Sequence, residues 1–188
     1  ETEIMINDNY IDNAKHINNT ICLSMIVKNE GHVIYNTLVN IIKYIPLTYI
    51  VICDTGSIDN TIEEINKFIN DYNVPGEVFK HKWIDFASNR NLALDISKTK
   101  ADYSFIFDAD DIIHATNNFK LPNILVSDYY TFKFDKNLTY SRPLLINNKK
   151  NIKWYGVVHE CLKPNEQIKI TDILGNYYIE CGLSLIHI

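Results

Sequence analysis

Three carboxylates crowd into the segment Asp108-Ala109-Asp110-Asp111, which directly follows the apolar run YSFIF at 103–107. Like charges at this spacing repel one another unless a cation neutralises them. Carboxylate oxygens suit Mg²⁺ or Mn²⁺, and Mg²⁺ is commonly shared between one or two carboxylates and the phosphates of a substrate. The segment therefore predicts a divalent-metal site, with an acidic turn that caps a following helix as the simpler alternative.

Two more polar clusters follow apolar runs in the same way. Lys28-Asn29-Glu30 comes after ICLSMIV at 21–27, and DTGSID at 54–59 comes after YIVIC at 49–53. In an open parallel sheet, ligands bind at the carboxyl ends of the strands. If the three apolar runs are strands of one sheet, we expect the three polar clusters to meet at one edge and to form a single site.

The spacing of apolar residues predicts the elements that would position these clusters. The predicted helices are 33–45, ended by Pro46, a second that follows Asp59 and is broken at Pro75-Gly76, and 86–96. The predicted strands are 20–27, 49–53, 77–81 and 103–107, followed by strand-like runs at 129–134, 139–146, 168–173 and 177–179. Alternating strands and helices are typical of a parallel sheet with right-handed crossovers. The sequence thus predicts an α/β fold whose last third is β-rich.

The composition limits the classes of ligand. The chain has 188 residues, of which 46% are hydrophobic, enough for one domain with a sizeable core. Its formal net charge of −5 argues against a general nucleic-acid binder. An anionic ligand would therefore need a metal ion or a local cation. No apolar run reaches the ~18 residues of a membrane span, and the start has no signal-peptide core, so a cytoplasmic protein is expected.

The four cysteines show no metal-binding spacing. Cys22 and Cys53 lie in apolar runs and are expected to be buried free thiols. For Cys161 and Cys181 the sequence leaves a disulfide open.

Five segments together resemble a known family. ICLSMIVKNE, VICDTGSIDNT, DFASNRNLAL and YSFIFDADD are similar, in this order and spacing, to family 2 glycosyltransferases of the GT-A fold. WYGVVHE resembles a segment of the subgroup that includes lipopolysaccharide-core and peptide glycosyltransferases. The resemblance covers about residues 20–161. It implies a GT-A fold, that is, a Rossmann-like, mainly parallel sheet flanked by helices.

The resemblance also implies an activity. A family member of this kind would use Mn²⁺ or Mg²⁺ to move a sugar, with inversion, from a nucleotide-sugar to an acceptor hydroxyl on a glycan, lipid or protein. A UDP-sugar is the expected donor, and a GDP-sugar stays open. The alternatives are a non-catalytic nucleotide-sugar-binding module and, ranked lower, a sugar nucleotidyltransferase. The last usually opens with a glycine-rich basic loop, which the segment 28–31, KNEG, is not.

For the nucleoside, the resemblance implies five binding residues in the first two clusters. Asn29 and Glu30 would lie beside the nucleoside. Asp54 would be the carboxylate that reads the base, which favours uridine, and Ser57 and Asp59 would complete that loop.

For the metal and the diphosphate, the resemblance implies a second set. Asp108 would face the ribose and the metal, Asp110 would be a direct metal ligand, and Asp111 would lie behind them. Arg90 would sit near the diphosphate or the acidic motif, with a surface ion pair as the alternative. A late histidine, His187, would add a metal ligand unless it is an ordinary strand residue, and His159 could fill the same place.

The chemical step requires a base that takes the proton of the acceptor hydroxyl. Glu160 is the preferred candidate and Asp111 the second, because a carboxylate beside a metal cation is a weaker base. The aromatic pair Trp154 and Tyr155 could stack on a sugar or belong to the core.

The same considerations predict the domain organisation. Residues 1–19 are expected to form an N-terminal arm and 20–188 a single domain. Within it, 20–111 would be the nucleotide-binding half and 112–188 the acceptor-side half. The chain stops at Ile188 in a strand-like run, so we expect a catalytic portion truncated at its C-terminus.

Overall fold

The computed structural model describes residues 17–116, 119–137, 140–157 and 160–182. Its helices are α1 Ile34–Tyr44, α2 Thr61–Tyr72 and α3 Phe86–Ser97. The strands of the first half are β1 Ile21–Val27, β2 Tyr49–Asp54, β3 Gly76–Lys80 and β4 Tyr103–Ile106. The strands that follow are β5 Ile112–Ala115, β6 Tyr129–Phe134, β7 Tyr140–Asn147, β8 Ile152–Tyr155, β9 Cys161–Pro164, β10 Ile170–Asp172 and β11 Tyr177–Glu180.

Within the described residues, one nine-stranded sheet runs through both halves of the chain, in the order β3-β2-β1-β4-β7-β6-β11-β5, with β10 beside β6. The first four strands are parallel to one another, and β7 then pairs antiparallel with β4. The predicted α/β fold of the GT-A type, with its mainly parallel sheet and β-rich last third, is therefore confirmed. Strand β5 and the separate β8–β9 hairpin were not predicted.

The core explains why the parallel strands form where they do. All seven residues of β1 are buried, as expected for a central strand covered on both faces. Helix α1 packs a stripe of apolar side chains against the sheet: Ile34, Leu38, Ile41 and Ile42. Cys22 and Cys53 are buried free thiols as predicted, and burial raises the pKa of each to about 12. Cys161 and Cys181 are exposed and also free.

The sheet brings the predicted clusters to one edge. Val27 at the end of β1 pairs with Asp54 at the end of β2, and Ser24 of β1 pairs with Ile106 of β4. The loops that follow these three strands therefore leave the sheet side by side. No helix in the described part of the chain is long and apolar enough to cross a membrane.

Candidate active site at the carboxyl edge of the sheet

The loops after β1 and β2 are held together by four of the predicted nucleoside residues. Asn29, in a left-handed conformation with φ 57°, donates its backbone N–H to Ser57 Oγ at 2.9 Å. Its side-chain oxygen accepts from the backbone N–H of residue 58 at 2.8 Å. Asp59 accepts from the N–H of Gly31 at 3.0 Å, and the N–H of Glu30 donates to the hydroxyl of residue 61 at 2.8 Å. These contacts make the two loops one structural unit.

Asp54 lies at the base of this unit. It is only 3% exposed. Its carboxylate accepts hydrogen bonds from the N–H groups of Gly56 and Ser57 at 3.2 Å. Gly56 has φ +110°, a conformation that residues with a side chain rarely adopt. In this structure Asp54 therefore shapes its own loop, and its reading of a base stays a prediction.

Arg90, on helix α3, links the acidic motif to the second half of the chain. It forms ion pairs with Asp108, Nη2 to Oδ1 at 2.7 Å, and with Glu160, Nε to Oε1 at 3.0 Å. The Arg90 side chain is 12% exposed, so these are not surface pairs. Burial alone would lower the pKa of Arg90, but the charges of Asp108 and Glu160 outweigh it and raise it. The guanidinium also lies 5.1 Å from the ring centre of Trp154.

Asn91, next to Arg90, fixes the β8–β9 hairpin. Its side-chain amide donates to the carbonyl of Trp154 and accepts from the N–H of Trp154, both at 2.9 Å. Glu160 directly precedes β9 of that hairpin. Sequence reasoning missed this role of Asn91, although its place beside Arg90 in a polar helix turn was a signal.

The acidic loop after β4 presents its carboxylates to different environments. Asp108 is 36% exposed at its side chain. Asp111 is 5% exposed and accepts from the N–H of Gly182 at 3.2 Å. Burial, together with the charge of Asp108, raises the pKa of Asp111 to about 7. The carbonyl of Ala109 accepts from the hydroxyl of Thr37 at 2.6 Å, which anchors the loop to helix α1.

Two adjoining cavities open on this loop, one of about 550 Å³ and one of about 320 Å³. Both are lined by Arg90, Asp108, Asp111 and Arg142. The larger adds Glu160 and Trp154 together with apolar side chains. The smaller adds Glu30 and Asp110.

The structure thus gathers one part of the predicted site around the two cavities: Glu30, Arg90, Asp108, Asp110, Asp111 and Glu160. The other predicted residues, Asn29, Asp54, Ser57 and Asp59, do not line these two cavities but hold the neighbouring loops. His159 and His187 lie outside the described residues. Arg142 and Gly182 were missed. For Arg142 the sequence offered one signal, that it is one of only two arginines in the chain.

Gly182 is required by its close approach to the acidic loop. A Cβ on this residue would lie closer than 3.0 Å to the side chain and the backbone oxygen of Asp110. We expect Gly182→Ala to destabilise the fold by about 1–3 kcal/mol, the usual cost of overpacking. Thermal unfolding would measure this, with the exposed Leu174→Ala as the control. An unchanged melting temperature would show that the Asp110 loop yields without cost.

The donor set fits a divalent cation. Asp108 and Asp110 offer only hard carboxylate oxygens, the ligands that Mg²⁺ and Mn²⁺ prefer. Within the described residues, no three His, Cys, Asp or Glu side chains form a complete metal site by themselves. Two carboxylates completed by substrate phosphates are the usual arrangement for Mg²⁺.

Comparison with known proteins agrees with this architecture. The S. aureus protein TarS superposes with a TM-score of 0.59 over 88% of this chain and 37% of its own, at 13% sequence identity. Its fragment 1–349 gives 0.53 over 85% of this chain and 60% of its own, at 14% identity. These likenesses show the fold alone. A mannosyltransferase, PcManGT from Pyrobaculum calidifontis in complex with GDP-Man and Mn²⁺, matches at 19% identity and a TM-score of only 0.45. The alignment covers 50% of this chain and 28% of that one.

The order of the strands and the polar loops at the carboxyl edge of the sheet define a domain of the GT-A fold. The model of the family described as "Glycosyl transferase family 2" matches residues 22–121, more than half of the chain. The chain belongs to glycosyl transferase family 2, and the predicted family is confirmed. No curated protein matches the sequence. The narrower subgroup suggested by WYGVVHE stays a prediction.

Proposed function

We propose that this domain transfers a sugar from a nucleotide-sugar to an acceptor hydroxyl, with a divalent cation and with inversion at the anomeric carbon. One observation carries the proposal: Asp108 and Asp110 line a cavity that adjoins the one lined by Glu160. Transfer needs a group that stabilises the departing diphosphate and a base for the acceptor. Both kinds of residue line cavities that share Arg90, Asp108, Asp111 and Arg142.

Asp108 and Asp110 would hold the cation, Mn²⁺ or Mg²⁺. When bound, it would supply positive charge that stabilises the diphosphate as its bond to the sugar breaks. Asp108 is already paired with Arg90, so its carboxylate would contact both the guanidinium of Arg90 and the divalent ion. His187 remains a proposed additional ligand.

The interlocked loops after β1 and β2 would hold the nucleoside. Asn29, Glu30, Ser57 and Asp59 belong to this unit, with Asp54 at its base. We propose a UDP-sugar as donor, because an aspartate at this place can accept the N–H of a uracil. A GDP-sugar is the second choice.

Glu160 would deprotonate the acceptor. The ion pair with Arg90 fixes Oε1, while Oε2 has no hydrogen-bond partner among the residues that the structure describes. That second oxygen is available to a hydroxyl entering the larger cavity. Asp111 lines the same cavity and is the second candidate for the base. The acceptor would be a glycan, a lipid or a protein.

Nucleotide binding tests the proposal directly. We expect UDP with Mn²⁺ to raise the melting temperature, GDP to raise it less and ADP least, since binding to the native state stabilises it. In EDTA the rise should disappear. Release of UDP from a UDP-sugar would then establish transfer or slow hydrolysis, whereas release of pyrophosphate would indicate a nucleotidyltransferase. A binding module would show the thermal shift without any release of UDP.

A further inference from the structure

The arginine content of the chain points to a residue outside the family segments. Of its 18 lysine and arginine residues, only Arg90 and Arg142 are arginine. Both line both cavities at the acidic loop. Arginine differs from lysine in offering a planar fork of N–H donors that matches a phosphate or a carboxylate. The other residues of this count are lysines, so both guanidinium groups of the chain lie at this one site.

The two arginines are engaged in different ways. Arg90 is paired with two carboxylates. The guanidinium of Arg142 instead stacks on the rings of Phe134 at 4.7 Å and Tyr140 at 5.1 Å, and its Nη2 donates to the Tyr140 hydroxyl at 3.0 Å. Among the described residues, no carboxylate lies within salt-bridge distance of Arg142. Most of its donors are therefore available to a ligand.

The sheet sets Arg142 opposite the metal motif. Strand β7 is antiparallel to β4, and Phe105 pairs with Leu145. Arg142 lies three residues before Leu145, and Asp108 lies three residues after Phe105. The antiparallel register, continued past the paired residues, therefore places Arg142 opposite Asp108. The contacts with Phe134 and Tyr140 hold the guanidinium beside the two cavities that Arg142 lines.

The charge of the cavities calls for such a group. Five acidic side chains line them, those of Glu30, Asp108, Asp110, Asp111 and Glu160. Because burial raises the pKa of Asp111 to about 7, this one is only partly charged near neutral pH. A diphosphate that enters this negatively charged space is repelled unless further cations balance the acidic side chains. Arg90 cannot do this alone, because it is already paired with two of them, Asp108 and Glu160. A divalent ion compensates only part of the remaining charge.

We propose that Arg142 binds phosphate oxygens of the ligand, and specifically those of the donor diphosphate. This inference rests on the proposed function. A phosphate group carried by the acceptor would offer the same chemistry from the other side of the cavity. The two sources differ in which measurement responds to a change at Arg142.

Calorimetric titration of the variants with UDP, UMP and uridine in the presence of Mn²⁺ tests the proposal. We expect Arg142→Gln to weaken UDP binding about 10- to 100-fold, the worth of a charge-assisted hydrogen bond. Uridine binding should be unchanged. Arg142→Lys should recover only part of the loss, because lysine keeps the charge but lacks the planar fork. Lys163→Gln on β9, an exposed residue outside both cavities, is the control for loss of one positive charge.

The results distinguish binding of the donor diphosphate from binding of a phosphate group on the acceptor. UDP affinity of Arg142→Gln equal to that of the unaltered protein overturns the donor assignment, and a lower rate of transfer alone would then assign Arg142 to an acceptor phosphate. If the unaltered protein binds neither UDP nor GDP, the proposed function fails and this inference with it. Should Arg142→Gln melt at a much lower temperature, Arg142→Lys decides the question, since it keeps the stacked cation.

Discussion

Asp110→Asn is expected to abolish the rise in melting temperature that UDP causes in the presence of Mn²⁺. Asp110 lines the smaller cavity together with Asp108, and the proposed cation needs both carboxylates. Asparagine keeps the shape of the side chain but removes the charge that a hard cation requires. The effect should be large, because nucleotide and metal would bind as one unit.

The size of the effect follows from binding linkage. A ligand at 100 times its dissociation constant stabilises the native state by about 2.7 kcal/mol. For a chain of this length that is a shift of roughly 5–11 °C. The control is Asp95→Asn on helix α3, whose carboxylate is 54% exposed and outside the two cavities. A full UDP shift in Asp110→Asn, or in EDTA, would remove the metal from the proposal.

Glu160→Gln is expected to lower sugar transfer by roughly 10²–10⁴-fold, the usual contribution of a general base. Glutamine can still accept the hydrogen bond from Arg90 Nε that Glu160 Oε1 accepts at 3.0 Å. The hairpin and the donor site should therefore stay in place, and UDP affinity should change little. The measurement is the turnover number beside the UDP dissociation constant, so that chemistry and binding are separated.

Asp111→Asn is the matched comparison for this experiment. Asp111 lines the same cavity but is buried and accepts a hydrogen bond from Gly182. If the base is Glu160, Asp111→Asn should keep more transfer activity than Glu160→Gln at equal UDP affinity. Near-normal transfer by Glu160→Gln, with Asp111→Asn inactive yet still responsive to Mn²⁺, would move the base to Asp111. Where the acceptor is unknown, slow hydrolysis of the donor serves as the assay.

Much of the first half of the fold could be predicted from the sequence. The apolar run of β1 and the helical spacing of α1 match their structural bounds closely. A strand buried on both faces gives a continuous apolar run, and an amphipathic helix repeats its apolar residues every three to four positions. In the second half β5, β8 and β9 were missed. They are four residues long and mostly exposed or half-buried, so their pattern is weak.

The sequence by itself determined that Asp54 and Asp108 would meet at one edge. Each follows a buried parallel strand, and parallel strands align their carboxyl ends. It also determined the family, since four polar segments stand in family order along the chain. These are local signals, and a single sequence carries them directly.

Only the tertiary structure decided which side chains share the cavities. Arg90 meets Glu160 across 70 positions of sequence, and Gly182 reaches Asp111 across 71. Arg142 lies on a strand, and successive side chains of a strand point to opposite faces of the sheet. This rule indicates the face on which Arg142 lies but not which side chains surround it there. Such contacts depend on the order of strands β4, β7 and β6, which is set by packing of the whole sheet. The sequence therefore identified the acidic motif and the nearby Arg90, whereas the pairing of Arg90 with Glu160 and the place of Arg142 beside the motif became visible only in the fold.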